Sequence, residues 1–212
     1  MKKTRHFSLL VVMFAATLCS FAQPAGFKPI SNTEKTALLS AMNDKFQSMQ
    51  CDFRQEKKSA LFDEVSISEG VMYFRKPSSL RWEYTKPTVS VVVMDGAKVK
   101  VTDADGKEQG KGGRMYRQMA ALIAGVVSGK ELDDGKNFKS EFYVGANAYW
   151  IKLTPANRRL KVFFNHLELT LDKQKMVAVK MFMNEKEGDS TTITFSNHKV
   201  NTAIDDKMFN LK

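Results

Sequence analysis

Residues 70–87 read GVMYFRKPSSLRWEYTKP, from Gly70 to Pro87. Two strand-like runs are interrupted by Pro77 and closed by Pro87. In the second run Leu80, Trp82 and Tyr84 alternate with Ser79, Arg81 and Glu83. Side chains of a strand point alternately to its two faces. This stretch therefore predicts a sheet with one aromatic, apolar face and one charged face.

The flanking chain extends the same pattern. Downstream, Val89, Val91 and Val93 stand beside Val92 and Met94, so this strand is apolar on both faces. Asp95-Gly96 follows, a strong hairpin signal between apolar runs. Upstream, Ser31 and Glu34 match a capping box and predict a helix over about 33–49. Leu38, Leu39, Met42, Phe46 and Met49 fall at helical spacing along it. Residues 103–113 are polar and glycine-rich and read as a loop with an Asp-Gly turn at 105–106. A second helix is predicted over about 114–128. Met115, Met119, Leu122, Ile123, Val126 and Val127 recur at helical spacing, and Ala120, Ala121 and Ala124 fill the opposite side. A helix apolar nearly all round must be covered on most sides. Gly129 supplies its stop. Further strands are predicted over 138–144, 149–153, 162–171, 176–183 and 191–195. Leu167, Leu169 and Leu171 alternate with polar partners, and Val177, Val179, Met181 and Met183 share a parity. The sum is an α+β chain: about ten strands in a large antiparallel sheet, with both helices on one side.

Composition sets the compartment. Lys2, Lys3 and Arg5 precede an apolar run to Phe21, and Ser20 and Ala22 are small residues before Gln23. Residues 1–22 read as a secretory signal peptide, which leaves 23–212 as one domain in the periplasm. The 212-residue chain has 33 Lys and Arg against 23 Asp and Glu; removing Lys2, Lys3 and Arg5 leaves 30 − 23 = +7. The lysines are scattered, which argues against a nucleic-acid partner. Cys51 remains alone after cleavage, so no internal disulfide forms and packing must hold the fold. His166 and His198 are the histidines left, and no nucleophile elbow, phosphate loop or metal-ligand spacing occurs. No catalytic residue, metal or cofactor is expected. A monomer is.

The positive signal is a surplus of pliable apolar side chains. Ten Met follow residue 22, several on faces aimed between helices and sheet. The order in 70–87 of glycine, aromatic strand, basic residue, proline, tryptophan and proline resembles the LolA-type periplasmic outer-membrane lipoprotein carriers. Phe53-x-Gln55, Asp95-Gly96, the 115–127 helix and Phe195-Ser-Asn197 through Asn201 to Phe209 are similar to further segments of that family.

The resemblance implies an incomplete antiparallel β-barrel of ten or eleven strands, covered by a helical lid over a hydrophobic cavity. The two helices then form the lid. It implies a cavity lined from the helices by Leu39, Met42, Phe46, Met119, Leu122, Ile123 and Val126. From the strands it draws on Met72, Phe74, Trp82, Tyr84, Leu167, Leu169, Met181 and Phe195. The family has Arg before the proline of this motif, where it holds the lid; here that position is Lys76, with Arg75 one residue earlier and on the other face. The implied cargo is acylated lipoprotein, received from an inner-membrane ABC transporter and delivered to an outer-membrane acceptor. A carrier or sensor for another lipid-like ligand, and an enzyme on the same half-barrel, are the alternatives.

Overall fold

The computed structural model describes residues 24–45, 47–62, 64–109, 113–130 and 132–211. The signal segment 1–22 and Phe46 lie outside the described residues. The chain order is β1 (Lys28–Pro29), α1 (Asn32–Lys45), β2 (Ser48–Lys58), β3 (Val65–Arg75), β4 (Ser79–Lys86), β5 (Ser90–Asp95) and β6 (Lys98–Asp103). Then come α2 (Gly113–Val127), β7 (Phe138–Val144), β8 (Ala148–Pro155), α3 (Arg158–Phe163), β9 (Phe164–Asp172), β10 (Ala178–Glu185) and β11 (Ser190–Val200). A 3₁₀ turn, Asp206–Phe209, follows.

The strands form one open antiparallel sheet of 11, in the order β1-β7-β8-β9-β10-β11-β2-β3-β4-β5-β6. Two hairpin meanders, β2–β6 and β7–β11, are joined where β11 pairs with β2. The helix α2 bridges them in sequence and packs over β4, β5 and β6. Among the described residues no helix is long and apolar enough to cross a membrane.

The alternation read in 70–87 is the inner face of this half-barrel. Met72 pairs with Trp82 and Phe74 with Leu80, while Cys51 lies opposite Met72 and Met49 opposite Phe74. All six are buried. Each such side chain removed from water contributes about 1.5–3 kcal/mol. Burial, with Asp52 adding to it, pushes the Cys51 thiol up to about 12, so it is a neutral core side chain. On the outer face Arg81 pairs with Glu83 at 2.8 Å. The strand β5 is buried on both faces as its valines predict, since the C-terminal 3₁₀ turn packs over β4 and β5.

The predicted caps and turns form. Ser31 N–H donates to Glu34 Oε2 at 2.8 Å and Glu34 N–H donates to Ser31 Oγ at 3.2 Å, the reciprocal box that starts α1. Gly96 takes φ +60° in the β5–β6 hairpin. The buried run Leu122–Val127 of α2 is covered as an all-apolar helix requires.

Three boundaries differ from the sequence reading. First, α1 ends at Lys45 and Met49 belongs to β2. Asn201 Oδ1 accepts Gln47 N–H at 2.8 Å and turns the chain into the sheet, so Met49 packs from a strand and not along α1. Second, Val162 is helical. The Asn157 side chain accepts Leu160 N–H, caps α3 and delays the strand to Phe164. Third, Met176 sits in the β9–β10 turn at φ +57°, and an extra residue in β10 between Ala178 and Lys180 shifts the register. Ala178 therefore stands opposite Leu171, and Val179 leaves the ladder parity shared by Met181 and Met183.

Candidate functional site

Between α2, α3 and side chains of β9, β10, β11, β2 and β4 lies a cavity of about 520 Å³. Met119, Leu122 and Ile123 line it from α2, with Ala121 beside them. Leu160 and Phe163 line it from α3, and Phe164, Met183, Thr191, Gln55 and Tyr84 from strands. Lys57, Glu185, Arg159, Asn137 and Asn157 complete the lining. Its volume falls in the range of about 300–1,000 Å³ usual for ligand sites.

The polar groups of this lining other than Arg159 are engaged with partners. Tyr84 Oη donates to Gln55 Oε1 at 3.1 Å, and Thr191 Oγ1 donates to Glu185 Oε1 at 2.8 Å. Lys57 Nζ stands 3.5 Å from Glu185 and 3.6 Å from Asp189. The Ala60 N–H holds the Asp189 carboxyl below its usual value, with Lys57 assisting. Asn157 Nδ2 donates to Asn137 Oδ1 at 2.6 Å. Arg159, exposed at the edge of the lining, is in no ion pair among the described residues. With the other polar groups satisfied, the rest of the surface left seeking a partner is the apolar wall, which suits hydrocarbon.

Four of the residues expected from sequence line this cavity: Tyr84, Met119, Leu122 and Ile123. Leu39 is half-buried on α1, against the core. Met42, Met72, Phe74, Trp82, Val126, Leu167, Leu169, Met181 and Phe195 are in the closed core beneath helices and sheet. Trp82 anchors an aromatic cluster, stacked on Phe53 at 4.1 Å and edge-on to Phe195 at 6.2 Å. Its indole N–H has no acceptor among the described residues. The polar mouth residues and all of α3 were not anticipated. Met183 carried a signal through its strand parity; Arg159 and Asn157 carried none, because their placement depends on where α3 docks.

The helices differ in how firmly they are seated. Along α1 the buried side chains are Leu38 and Met42, and a second cavity of about 330 Å³ lies between α1 and the β7–β8 region. The β3–β4 turn holds its end: Lys76 Nζ donates to Met42 O at 3.1 Å and to Asn43 O at 2.7 Å. A cation at the last carbonyls of a helix is favoured by the helix dipole. Burial lowers the Lys76 ammonium from its usual value, partly offset by Asp44. Arg75 points to the other face, paired with Asp206 and over the Phe209 ring at 4.8 Å. Thus Lys76 grips α1 while Arg75 fastens the C-terminal turn. Among the described residues no group of three or more His, Cys, Asp or Glu is placed to hold a metal.

The sequence profile of the family described as outer membrane lipoprotein carrier protein LolA matches residues 44–212. The chain is 27% identical over 185 residues to the outer-membrane lipoprotein carrier protein of Methylococcus capsulatus, covering 87% of this chain and 86% of that one. It is 28% identical over 171 residues to the protein of the same description from Chromohalobacter salexigens, covering 81% and 79%. Among solved structures, the Pseudomonas aeruginosa MucA/MucB complex is similar in fold at a TM-score of 0.51 and 12% identity, covering 85% of this chain and 60% of that one.

Proposed function

This chain belongs to the LolA family of outer membrane lipoprotein carrier proteins, and on that premise we propose that it carries lipoproteins across the periplasm with their acyl chains sheltered in the cavity beneath the helices. The observation that carries the reading is the apolar cavity itself, whose polar lining groups apart from the exposed Arg159 already have partners. A lipoprotein bears two or three acyl chains, on the order of 40 methylenes. At ~0.8 kcal/mol per buried CH₂, exposing them to water costs on the order of 30 kcal/mol. A carrier must offer apolar surface of similar extent and still let go. With Leu38 and Met42 as its buried anchors, α1 is the element suited to swing away and open the cavity of about 330 Å³ that it lines, adding apolar surface to the 520 Å³ bounded by α2 and α3. In this reading 23–212 acts as one carrier domain, an inner-membrane ABC transporter supplies the loading energy, and an acceptor at the outer membrane takes the cargo.

The reading is tested by titrating the Trp150→Phe protein, in which Trp82 is the remaining tryptophan, with a diacylated lipopeptide. A saturable change in Trp82 emission, absent with the unacylated peptide, is expected. No saturable response, together with no lipoprotein copurifying from the periplasm, sinks it.

The grip of Lys76 gives a separate expectation. Lys76→Met removes the donors to the last carbonyls of α1 and is expected to cost about 0.5–2 kcal/mol of local stability. Amide hydrogen exchange along α1 should quicken by up to tenfold or more while the β8–β11 amides stay protected. Uniform exchange across both regions would remove Lys76 as the restraint on this helix.

A further inference from the structure

The connections β2–β3, β4–β5, β8–β9 and β10–β11 all lie at one end of the sheet, opposite the Lys76 turn. The large exposed apolar side chains of the described residues gather at this end. Leu61 and Phe62 at the β2–β3 tip are 85% and 69% exposed, and Val162 and Phe163 of α3 are 69% and 45%. The two tips are joined through the β10–β11 turn. Lys186 N–H donates to Phe163 O at 2.9 Å on one side, and Asp189 Oδ1 accepts Ala60 N–H at 2.9 Å on the other. The cavity reaches the surface at this end, since Arg159 and Phe163, which line it, are exposed.

Charge separates the two tips. Arg158, Arg159 and Lys161 of α3 are exposed, and none is in an ion pair among the described residues. No residue of α3 is buried. Near the other tip, Glu185 and Asp189 are engaged by Lys57. Three exposed cations thus stand on α3 beside the exposed apolar side chains of Val162 and Phe163, at the end where the lining of the cavity is exposed. Cations interleaved with aromatic and aliphatic residues on an exposed segment suit the interface of an anionic bilayer, where headgroups meet the cations and the acyl boundary takes the apolar tips.

We infer that this rim docks the protein onto an anionic phospholipid bilayer, with α3 on the headgroups and Leu61 and Phe62 in the apolar boundary, so that the cavity mouth faces the membrane. The inference rests on the carrier reading for its purpose, since a mouth against the bilayer lets acyl chains pass without crossing water.

The test is flotation of the purified protein with phosphatidylcholine vesicles, with and without phosphatidylglycerol. The protein should float with the anionic vesicles, at least tenfold less with the neutral ones, and less as salt rises. Arg158→Glu/Lys161→Glu should lower flotation at least tenfold, since each cation near an anionic surface strengthens partition about fivefold. Leu61→Ser/Phe62→Ser/Val162→Ser should lower it by a similar factor. None of these positions lines the cavity, so lipopeptide binding should be retained in both variants. Wild-type protein that stays with the soluble fraction, or variants that float as well as wild type, overturns the inference and makes the rim a protein contact. Flotation without any lipopeptide binding leaves the docking surface standing and removes the carrier reading instead.

Discussion

Replacing Ala121 by Trp is expected to weaken binding of a diacylated lipopeptide by roughly two orders of magnitude. Ala121 is exposed on α2 and lines the cavity, so an indole there occupies the space without entering the closed core. If it displaces three or four methylenes, the loss at ~0.8 kcal/mol each is about 3 kcal/mol. The cost to the fold is small, about 0.5 kcal/mol of helix propensity. The measurement is a pair of lipopeptide titrations beside thermal melts of both proteins. A dissociation constant within twofold of wild type, at an unchanged melting temperature, places the acyl chains somewhere other than this cavity.

Gly70→Ala is expected to lower stability by about 3 kcal/mol, with the melting temperature falling by about 6–12 °C for a chain of this size. Gly70 is buried where β3 meets β4, at a register shift between Glu69 and Gly70. A Cβ there would lie 1.9 Å from the Glu83 carbonyl oxygen and 2.6 Å from Phe53 Cζ. The first obstacle is backbone. The second belongs to a ring stacked on Trp82 and edge-on to Tyr84 at 5.3 Å. Relief therefore requires parting two strands or breaking the aromatic cluster. Urea unfolding measures the change, and a loss under about 1 kcal/mol means that the sheet yields here more readily than its contacts imply.

The two expectations differ in how far the sequence reaches them. Gly70 opens the stretch whose alternation predicts the inner face, and its partner Tyr84 shares with Trp82 a face that parity alone assigns. Ala121 entered the sequence reading as filler on the far side of an all-apolar helix. Its place beside the cavity appears once α2 is docked between two meanders. The same holds for the residues expected to line the cavity. Parity and helical spacing aimed Met72, Phe74, Leu167, Leu169 and Met181 inward, and all are buried. Burial does not distinguish a closed core from the wall of a void, because both need an apolar side chain facing in.

The lid contact shows the same division. That Lys76 and Arg75 take opposite faces follows from strand alternation. That Lys76 meets the carbonyls of Met42 and Asn43 follows from α1 ending beside the β3–β4 turn, a meeting of residues 33 and 34 positions apart. The helix α3 was hidden for a related reason. Val162 and Phe163 favour strands, and the Asn157 cap that holds the turn is braced by Asn137, 20 residues away.

By itself, then, the sequence determined the local and near-neighbour features of this protein. These are the capping box of α1, the Asp-Gly hairpin, the alternating faces of the strands, the burial of Leu122–Val127 in α2 and the family to which the 70–87 pattern points. Each is set by interactions over a few residues, where backbone period and side-chain type suffice. Tertiary structure alone decided where the cavity lies, which polar groups neutralise one another at its mouth, that Lys76 holds α1, and that the apolar tips gather at the open end. A cavity is the space that separately formed elements fail to fill. Its position depends on how β2, β4, α2, α3, β10 and β11 meet, and no local period records that.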